Sequence, residues 1–183
     1  MYDIVQRLDE AKKKKLELLP LPYGYRDLEP SISEKTLIYH HDQLAASYVK
    51  RFNSDEGDPS FNEAGAFLHN IYFPQFRSVR EGNIPNGPVL TLIKRKFDSY
   101  RNFKTLFKKT AMSIQGSGWV YLSFSGEIKT IVNHEIRNDI LLLVDWWEHA
   151  WALDYAADKS GYLENTWSII NWSHINRRWG KNL

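Results

Sequence analysis

Three histidines and one aspartate could together hold a transition-metal ion. His40 and His69 each fall within a predicted helix, in LIYHHDQLAASYV and EAGAFLHNIYF. Asp145 and His149 lie four positions apart in LLLVDWWEHAWAL, where an apolar run ends at a carboxylate among tryptophans. An unpaired charge in such surroundings is costly, so these groups need a partner. Imidazole and carboxylate ligands suit first-row transition metals.

Each of these residues also has a purely structural interpretation. A helical histidine is more often a hydrogen-bonded core residue than a metal ligand. Asp145 could cap the following helix, with Glu148 completing a capping box. The tryptophans are more often core than the wall of a cofactor site. Composition and spacing therefore do not establish that these residues bind a metal.

The composition narrows the class of protein. The 183 residues carry 24 basic and 22 acidic side chains, a net charge of +2, which does not suggest a nucleic-acid binder. The absence of cysteine excludes disulfides and thiolate metal sites. No apolar run approaches the roughly 20 residues that span a bilayer, and the first residues lack the apolar core of a secretory signal. We therefore expect a cytoplasmic protein without membrane partners, and the mitochondrial matrix is not excluded.

The N-terminal third predicts helices. Residues 1–19 form a charged extension with apolar residues at helical spacing, and LPLPYGY then interrupts helical structure. A helix is expected over Thr36–Phe52, capped by Ser31 or Ser33, and a second over Pro59–Ile71. The short NSDEGDPS turn between them indicates an antiparallel helical hairpin, assigned to a domain over 20–73.

The rest of the chain predicts a mixed domain over 89–183, joined by a Pro- and Gly-rich linker at 74–88. Two helices parted near DSYRN are followed by a β-hairpin, GWVYLSF-SG-EIKTIVN. The continuous apolar run at 140–145 predicts a third strand buried on both faces. Helices are expected over 147–158 and 162–178, which makes the fold class α+β with a three-stranded antiparallel sheet.

Several motifs resemble those of the iron/manganese superoxide dismutases. In chain order they are LPYGY, EP, HH......YV, NEAG...HN, QGSGWVYL, DWWEHAW...Y and NTWSIINW, which together span residues 20–179. The resemblance implies a helical hairpin domain followed by an α/β domain with a three-stranded antiparallel sheet. It also implies one Mn or Fe ion per chain, held by four ligands: His40, His69, Asp145 and His149.

Further roles follow from the same resemblance. Tyr48 matches the gateway tyrosine that relays protons. The family's glutamine that contacts the metal-bound solvent has two possible places; one of them is Gly65 here, so its role passes to His134. The pocket wall would be formed by four aromatic residues: Trp119, Tyr121, Trp147 and Phe73.

The resemblance also implies a homodimer or higher homo-oligomer, with Glu148 reaching the partner subunit. Where the family usually carries a histidine and a tyrosine that pair across that interface, this chain has Leu44 and Ala152. Replacing both partners by apolar groups avoids a buried unpaired polar atom and removes part of the proton-relay network.

The implied function is a superoxide dismutase that converts superoxide to dioxygen and hydrogen peroxide. The alternative is a protein of the same fold with a structural or assembly role and weak or no activity. A third interpretation is a metal-dependent oxidase or peroxidase. Retention of all four ligands favours dismutase activity, whereas the changes at Leu44 and Ala152 are reasons to test it.

Overall fold

A helical hairpin forms the N-terminal part of the fold. The computed structural model describes residues 14–181, so the helical spacing predicted within 1–13 lies outside it. Helix α1 (Glu34–Ile38) continues through a π-helical segment, Tyr39–Ala45, into α2 (Ala46–Asn53). Helix α3 (Pro59–Tyr72) returns against α2. These elements confirm the predicted hairpin.

Local capping sets where the hairpin helices begin. The Ser33 hydroxyl accepts a hydrogen bond from Thr36 N–H at 3.1 Å, which makes Ser33 the N-cap of α1. Asp58 caps α3 by accepting from Phe61 N–H at 3.0 Å, and Pro59 occupies the first turn, where its missing N–H costs nothing. The π-helical segment between α1 and α2 was not predicted; such segments often occur at functional sites.

The segment before the hairpin, residues 14–21, runs along it without regular structure. The side chain of Asn53 bonds both the N–H and the C=O of Leu16, at 2.9 Å each. Asn70 likewise accepts from Leu19 N–H and donates to Glu17 C=O, at 2.8 Å each. These paired side-chain contacts provide hydrogen-bond partners for backbone groups of a segment that belongs to no helix or strand.

The sheet is antiparallel with strand order β2-β1-β3, comprising β1 (Gly118–Ser123), β2 (Ile128–Val132) and β3 (Ile140–Asp145). Every residue of β3 is buried, which confirms the burial on both faces that its apolar run predicted. Trp119 is the register partner of Asp145, so the strand pairing places an indole beside the end of β3. Gly118 is needed at this point because a Cβ there would lie 2.4 Å from Ile131 C=O.

Helices complete the second part of the fold. Helix α4 (Gly87–Phe97) and α5 (Tyr100–Met112) are parted at Asp98 and Ser99, as predicted. The segment predicted as a linker, 74–88, is packed at its start: the buried Gln75 amide bonds both the N–H and the C=O of Leu143. No helix in the described range is long and apolar enough to cross a membrane.

The predicted helix over 162–178 is wrong as a single element. It is divided into α7 (Lys159–Ile169) and α8 (Trp172–Gly180). Ile170 is extended, with ψ 127°, because it forms a β-bridge with Phe76, and Asn171 then caps α8. The predicted helix over 147–158 is also shorter: a 3-10 turn, Glu148–Ala150, precedes α6 (Ala152–Tyr155), which ends at Ala156 with φ +49°.

Candidate metal centre

Four predicted ligand residues from four different elements converge in the interior. The π-helical segment carries His40, α3 carries His69, β3 ends at Asp145, and the following 3-10 turn carries His149. One nitrogen or carboxylate oxygen from each lies within 4.8 Å of the others. Three of the residues are buried, and His149 is partly exposed.

The approaches within this cluster are short. Oδ2 of Asp145 lies 3.1 Å from His40 Nε2, 3.2 Å from His149 Nε2 and 3.7 Å from His69 Nε2. The Nε2 atoms of His40 and His69 are 3.1 Å apart. All four ligand atoms therefore face one small volume.

Neighbouring backbone groups orient two of the ligands. His69 Nδ1 lies 2.7 Å from Gly65 C=O, an acceptor only, so Nδ1 carries the proton and Nε2 presents its lone pair. Asp145 Oδ1 accepts from Trp147 N–H at 2.8 Å, which leaves Oδ2 for the histidines. The N-cap of the 3-10 turn is Trp147, so the helix-capping interpretation of Asp145 is not what the structure shows.

The protonation states suit a cation. Burial, reinforced by His149, lowers the pKa of His40 to about 4, and burial holds the pKa of His69 well below its usual range. Burial alone would raise the pKa of Asp145, but the His149 and His40 imidazoles bring it well below its ordinary value. Neutral imidazoles and a carboxylate are the ionisation states that bind metal.

The donor set fits one transition-metal ion. With the proton of His69 on Nδ1, its Nε2 lone pair faces His40 Nε2 and a buried carboxylate oxygen. Such a concentration of buried acceptors is unfavourable without a cation. Three nitrogen ligands and one oxygen ligand, with no sulfur, match the preferences of iron and manganese.

A hydrogen-bonded chain lies beside the four ligands and contains both predicted catalytic residues. Trp119 Nε1–H donates to Nδ1 of His134 at 3.2 Å, and Nε2 of His134 lies 3.0 Å from the hydroxyl of Tyr48. Burial lowers the pKa of His134 to about 4 and, together with Asp145, raises the pKa of Tyr48 to about 12. At neutral pH the imidazole is uncharged and the phenol is protonated.

Three of the four predicted wall residues lie against a ligand histidine or against His134. The Trp119 ring lies 5.0 Å from His69, Phe73 lies 4.9 Å from His40, and Trp147 stacks on His134 at 4.6 Å, between ring centroids. Tyr121 lies elsewhere, contrary to the prediction. Its hydroxyl donates to Asp139 at 3.1 Å. Tyr121 lies two residues after Trp119 on β1 and pairs with Leu143, so it is further from the end of β3 than Trp119 is.

Sequence reasoning missed several residues that touch the site. The Phe61 ring lies 4.7 Å from that of His134, and the Arg51 guanidinium lies 4.9 Å from the centre of the Tyr48 ring. Tyr162 donates its hydroxyl to the Asp145 C=O at 3.0 Å and contacts the Tyr72 hydroxyl, also at 3.0 Å. Arg51 could have been found from its place three residues after Tyr48, on the same face of α2.

The residues predicted to meet a partner subunit lie at the surface. Glu148 is exposed, and Leu44 and Ala152 are partly exposed. Leu44 lies within the π-helical segment that carries His40, Glu148 lies in the 3-10 turn that carries His149, and Ala152 begins α6 shortly after that turn.

A helical hairpin and a three-stranded antiparallel sheet with a buried three-histidine, one-aspartate cluster define a mononuclear transition-metal protein. The family model for the alpha-hairpin domain of iron/manganese superoxide dismutases matches residues 15–58, and the model for their C-terminal domain matches residues 85–178.

Individual relatives agree. The chain is 34% identical to the Superoxide dismutase [Mn/Fe] of Aeropyrum pernix, covering 90% of this chain and 91% of the relative. It is 32% identical to the Superoxide dismutase [Fe] of Pyrobaculum aerophilum, with coverages of 93% and 94%. A Superoxide dismutase [Fe] of Bacteroides fragilis is 34% identical, with coverages of 88% and 98%.

The chain belongs to the iron/manganese superoxide dismutase family. This membership confirms the resemblance, the α+β fold, the enzyme class and the choice of iron or manganese that the sequence predicted.

Proposed function

We propose that this chain converts two superoxide anions and two protons to dioxygen and hydrogen peroxide, with one iron or manganese ion held by His40, His69, Asp145 and His149. The observation that carries the proposal is the convergence of one ligand atom from each residue within 4.8 Å. When bound, the metal supplies a one-electron carrier that alternates between two oxidation states. The protein supplies the ligands, excludes water from the site and delivers the protons.

Tyr48 and His134 are the proton-handling groups of the proposal. Because Trp119 donates to Nδ1, the proton of neutral His134 sits on Nε2 and is directed at the Tyr48 oxygen. The Tyr48 hydroxyl is then free to donate its own proton toward a bound anion. A proton so placed lowers the cost of forming peroxide, which is a stronger base than superoxide.

The aromatic wall keeps the site selective. Trp119 and Phe73 are essentially inaccessible to solvent, and the metal-facing histidines His40 and His69 are equally buried. In such a dry site the few polar contacts are stronger than in water. Arg51 adds a positive charge against Tyr48, which favours a small anion near this residue.

The assembly we propose is a homodimer. A surface cavity of about 640 Å³ is lined partly by Ile38, Tyr39 and Leu153, and Leu153 follows the exposed Glu148 by five residues in the sequence. Tyr39 is 37% exposed and Leu153 50%, which is unusual for large apolar side chains close together. A second copy would cover them and would bring Glu148 to the other subunit. Cytoplasmic location stays a prediction.

Sedimentation can test the dimer. Leu153→Asp should yield monomers, because a carboxylate would be buried at the interface without a partner. Leu106→Asp is the matched control, since Leu106 is 44% exposed on α5. If both variants sediment as the unchanged protein does, the proposed interface is wrong.

Reconstitution tests the reaction. Metal-free protein loaded separately with iron and with manganese should take up one ion per chain and dismutate superoxide with at least one of them. His149→Ala should lose both metal and activity, whereas His174→Ala, outside the cluster, should keep them. One bound ion per chain without activity for either metal would favour the structural or assembly role.

A further inference from the structure

A strap of the chain, residues 16–23, lies against the helical hairpin and belongs to no helix or strand. The side chains of Leu18, Leu21 and Tyr23 are partly buried against the core. Leu19, in contrast, is 49% exposed, so its side chain adds little to this packing. The contribution of Leu19 to the fold is therefore made mainly by its backbone groups.

The backbone of Leu19 joins the two ligand-bearing segments of the hairpin. Its C=O accepts from Nε2 of His41 at 3.0 Å, and its N–H donates to Oδ1 of Asn70 at 2.8 Å. His41 directly follows the ligand His40 on the π-helical segment, and Asn70 directly follows the ligand His69 on α3. One residue of the strap thus links the two positions next to these two ligands.

Both side chains that hold the strap are fixed by further contacts. Nδ2 of Asn70 donates to the C=O of Glu17 at 2.8 Å, so both ends of its amide bind the strap. His41 is buried, and its Nδ1 lies 2.6 Å from Oδ1 of Asp42, whose Oδ2 accepts from the Tyr25 hydroxyl at 2.7 Å. These contacts hold the two linking side chains in one geometry.

The strap is also joined to a residue that packs on His40. The Tyr23 hydroxyl donates to the C=O of Phe73 at 2.9 Å. The centroid of the Phe73 ring lies 4.9 Å from that of His40 and 4.9 Å from that of His41. A second contact of the strap therefore lies close to the same ligand.

The packing of the hairpin determines the separation of these two ligands only in part. Helix α3 packs mainly against α2 and much less against the π-helical segment that carries His40. A metal site requires its ligands within roughly 0.5 Å of their productive positions. Contacts outside the ligand set commonly hold them there, and loss of such a contact typically weakens metal binding about 10- to 100-fold. The strap is placed to provide such contacts.

We propose that the strap positions the metal ligands: through Leu19 it links His41 and Asn70, and so holds the two ligand-bearing segments at the separation that retains the ion. His41 and Asn70 are not among the four ligands and act through the ligand that precedes each of them. The inference rests on the proposed metal site and assigns a role to a segment that the dismutation chemistry does not use.

The rate at which the iron- or manganese-loaded protein loses its ion to excess EDTA tests the proposal. Asn70→Ala removes both amide bonds to the strap and should release the ion about 3- to 10-fold faster than the unchanged protein. Asn53→Ala is the matched control. It removes the same pair of bonds, to the N–H and C=O of Leu16, but at the last residue of α2. It should lose a similar amount of stability in denaturant unfolding and release the ion at the unchanged rate.

His41 provides an independent pair of variants. His41→Ala removes the donor to the Leu19 C=O and should accelerate metal loss. His41→Gln places an amide N–H near the same position and should restore most of the retention. This pair decides the matter if Asn70→Ala does not fold.

Several results would overturn the positioning role. These are an unchanged rate of metal loss in Asn70→Ala, equal acceleration in Asn53→Ala, and equal rates in His41→Ala and His41→Gln. In each case the unchanged protein still takes up one ion per chain, so the proposed dismutase stands. An unchanged protein that takes up no ion overturns the proposed function and the role of the strap together.

Discussion

Trp119 and His134 are joined by a hydrogen bond of 3.2 Å from the indole Nε1–H to Nδ1 of the imidazole. Because an indole can only donate, this contact fixes the tautomer of His134. The ring proton must then be on Nε2, facing the Tyr48 hydroxyl oxygen 3.0 Å away. The buried Trp119 on β1 therefore sets the direction of the next hydrogen bond, in which His134 donates to the Tyr48 hydroxyl oxygen.

His134→Ala should alter the redox behaviour of the bound metal more than its amount. The four ligand residues do not include His134, so metal content should stay near one ion per chain. Loss of its hydrogen bonds should shift the reduction potential and lower the dismutation rate, because contacts around a metal site tune its electronics. Metal analysis and redox titration measure the two effects, with His174→Ala as control. Unchanged potential and rate would contradict the assignment.

Trp119→Phe should lower activity per bound metal by releasing the tautomer of His134. Phenylalanine cannot donate, so His134 can place its proton on Nδ1 and accept from Tyr48 instead, which removes the free Tyr48 proton. The smaller ring also leaves a cavity, at a cost of about 1–3 kcal/mol in unfolding free energy. Trp179→Phe, on a partly exposed residue of α8, is the control. Full activity per metal in Trp119→Phe would show that the tautomer does not matter.

Gly65→Ala should displace Tyr48. A Cβ at this position would lie 2.8 Å from Cγ of the Tyr48 ring, which is rigid and cannot fold aside. We expect a loss of about 1–3 kcal/mol in unfolding free energy and a lower dismutation rate. Gly180→Ala is the matched control, since a Cβ there meets nothing within 4 Å. If Gly65→Ala is as stable and active as Gly180→Ala, the close contact does not position Tyr48.

Much of this site could be predicted from the sequence, because its residues lie in strong local patterns. The apolar run that ends at Asp145 favours a buried strand, and the helices that lead to His40 and carry His69 begin at capping residues. Contacts between distant segments were harder to predict. The bridge of Ile170 to Phe76 breaks a pattern that reads as one helix, and the packing of Phe61 on His134 depends on how α3 meets the loop after β2. Tyr121 pairs with Leu143 rather than Asp145, two residues along β1 from Trp119, and closeness to a motif in the sequence does not give that distance.

The stability of the protein should fall in mild acid partly through His174. Burial, followed by the charges of Arg178, Arg177 and Lys181, lowers the pKa of His174 to about 4. Its Nε2 accepts from Arg178 at 3.2 Å, which requires the neutral ring. The unfolded chain therefore binds a proton between about pH 6.5 and 4 that the folded chain does not, so stability is lost as pH falls through that range.

His174→Gln should flatten this dependence, since the amide can still accept from Arg178 and takes up no proton. Denaturant unfolding from pH 7 to 4 gives the slope for each protein. The difference between the two proteins isolates His174 from the other histidines. Parallel curves over this range would show that His174 titrates alike in the folded and unfolded states.

Arg51→Gln should slow dismutation mainly at low ionic strength. The Arg51 guanidinium lies 4.9 Å from the centre of the Tyr48 ring and is a positive charge beside the proposed proton donor. Attraction of a small anion by such a charge can change the association rate by about 10-fold or more, and about 1 M salt screens it. We expect kcat/KM to fall about 3- to 10-fold in dilute buffer and to approach the unchanged enzyme in high salt. Lys50→Gln, an adjacent exposed cation, should have a smaller effect, and Arg51→Lys should keep most of the rate. A loss in Arg51→Gln that is equal at all salt concentrations would instead assign Arg51 a packing role through its hydrogen bond to Asn62.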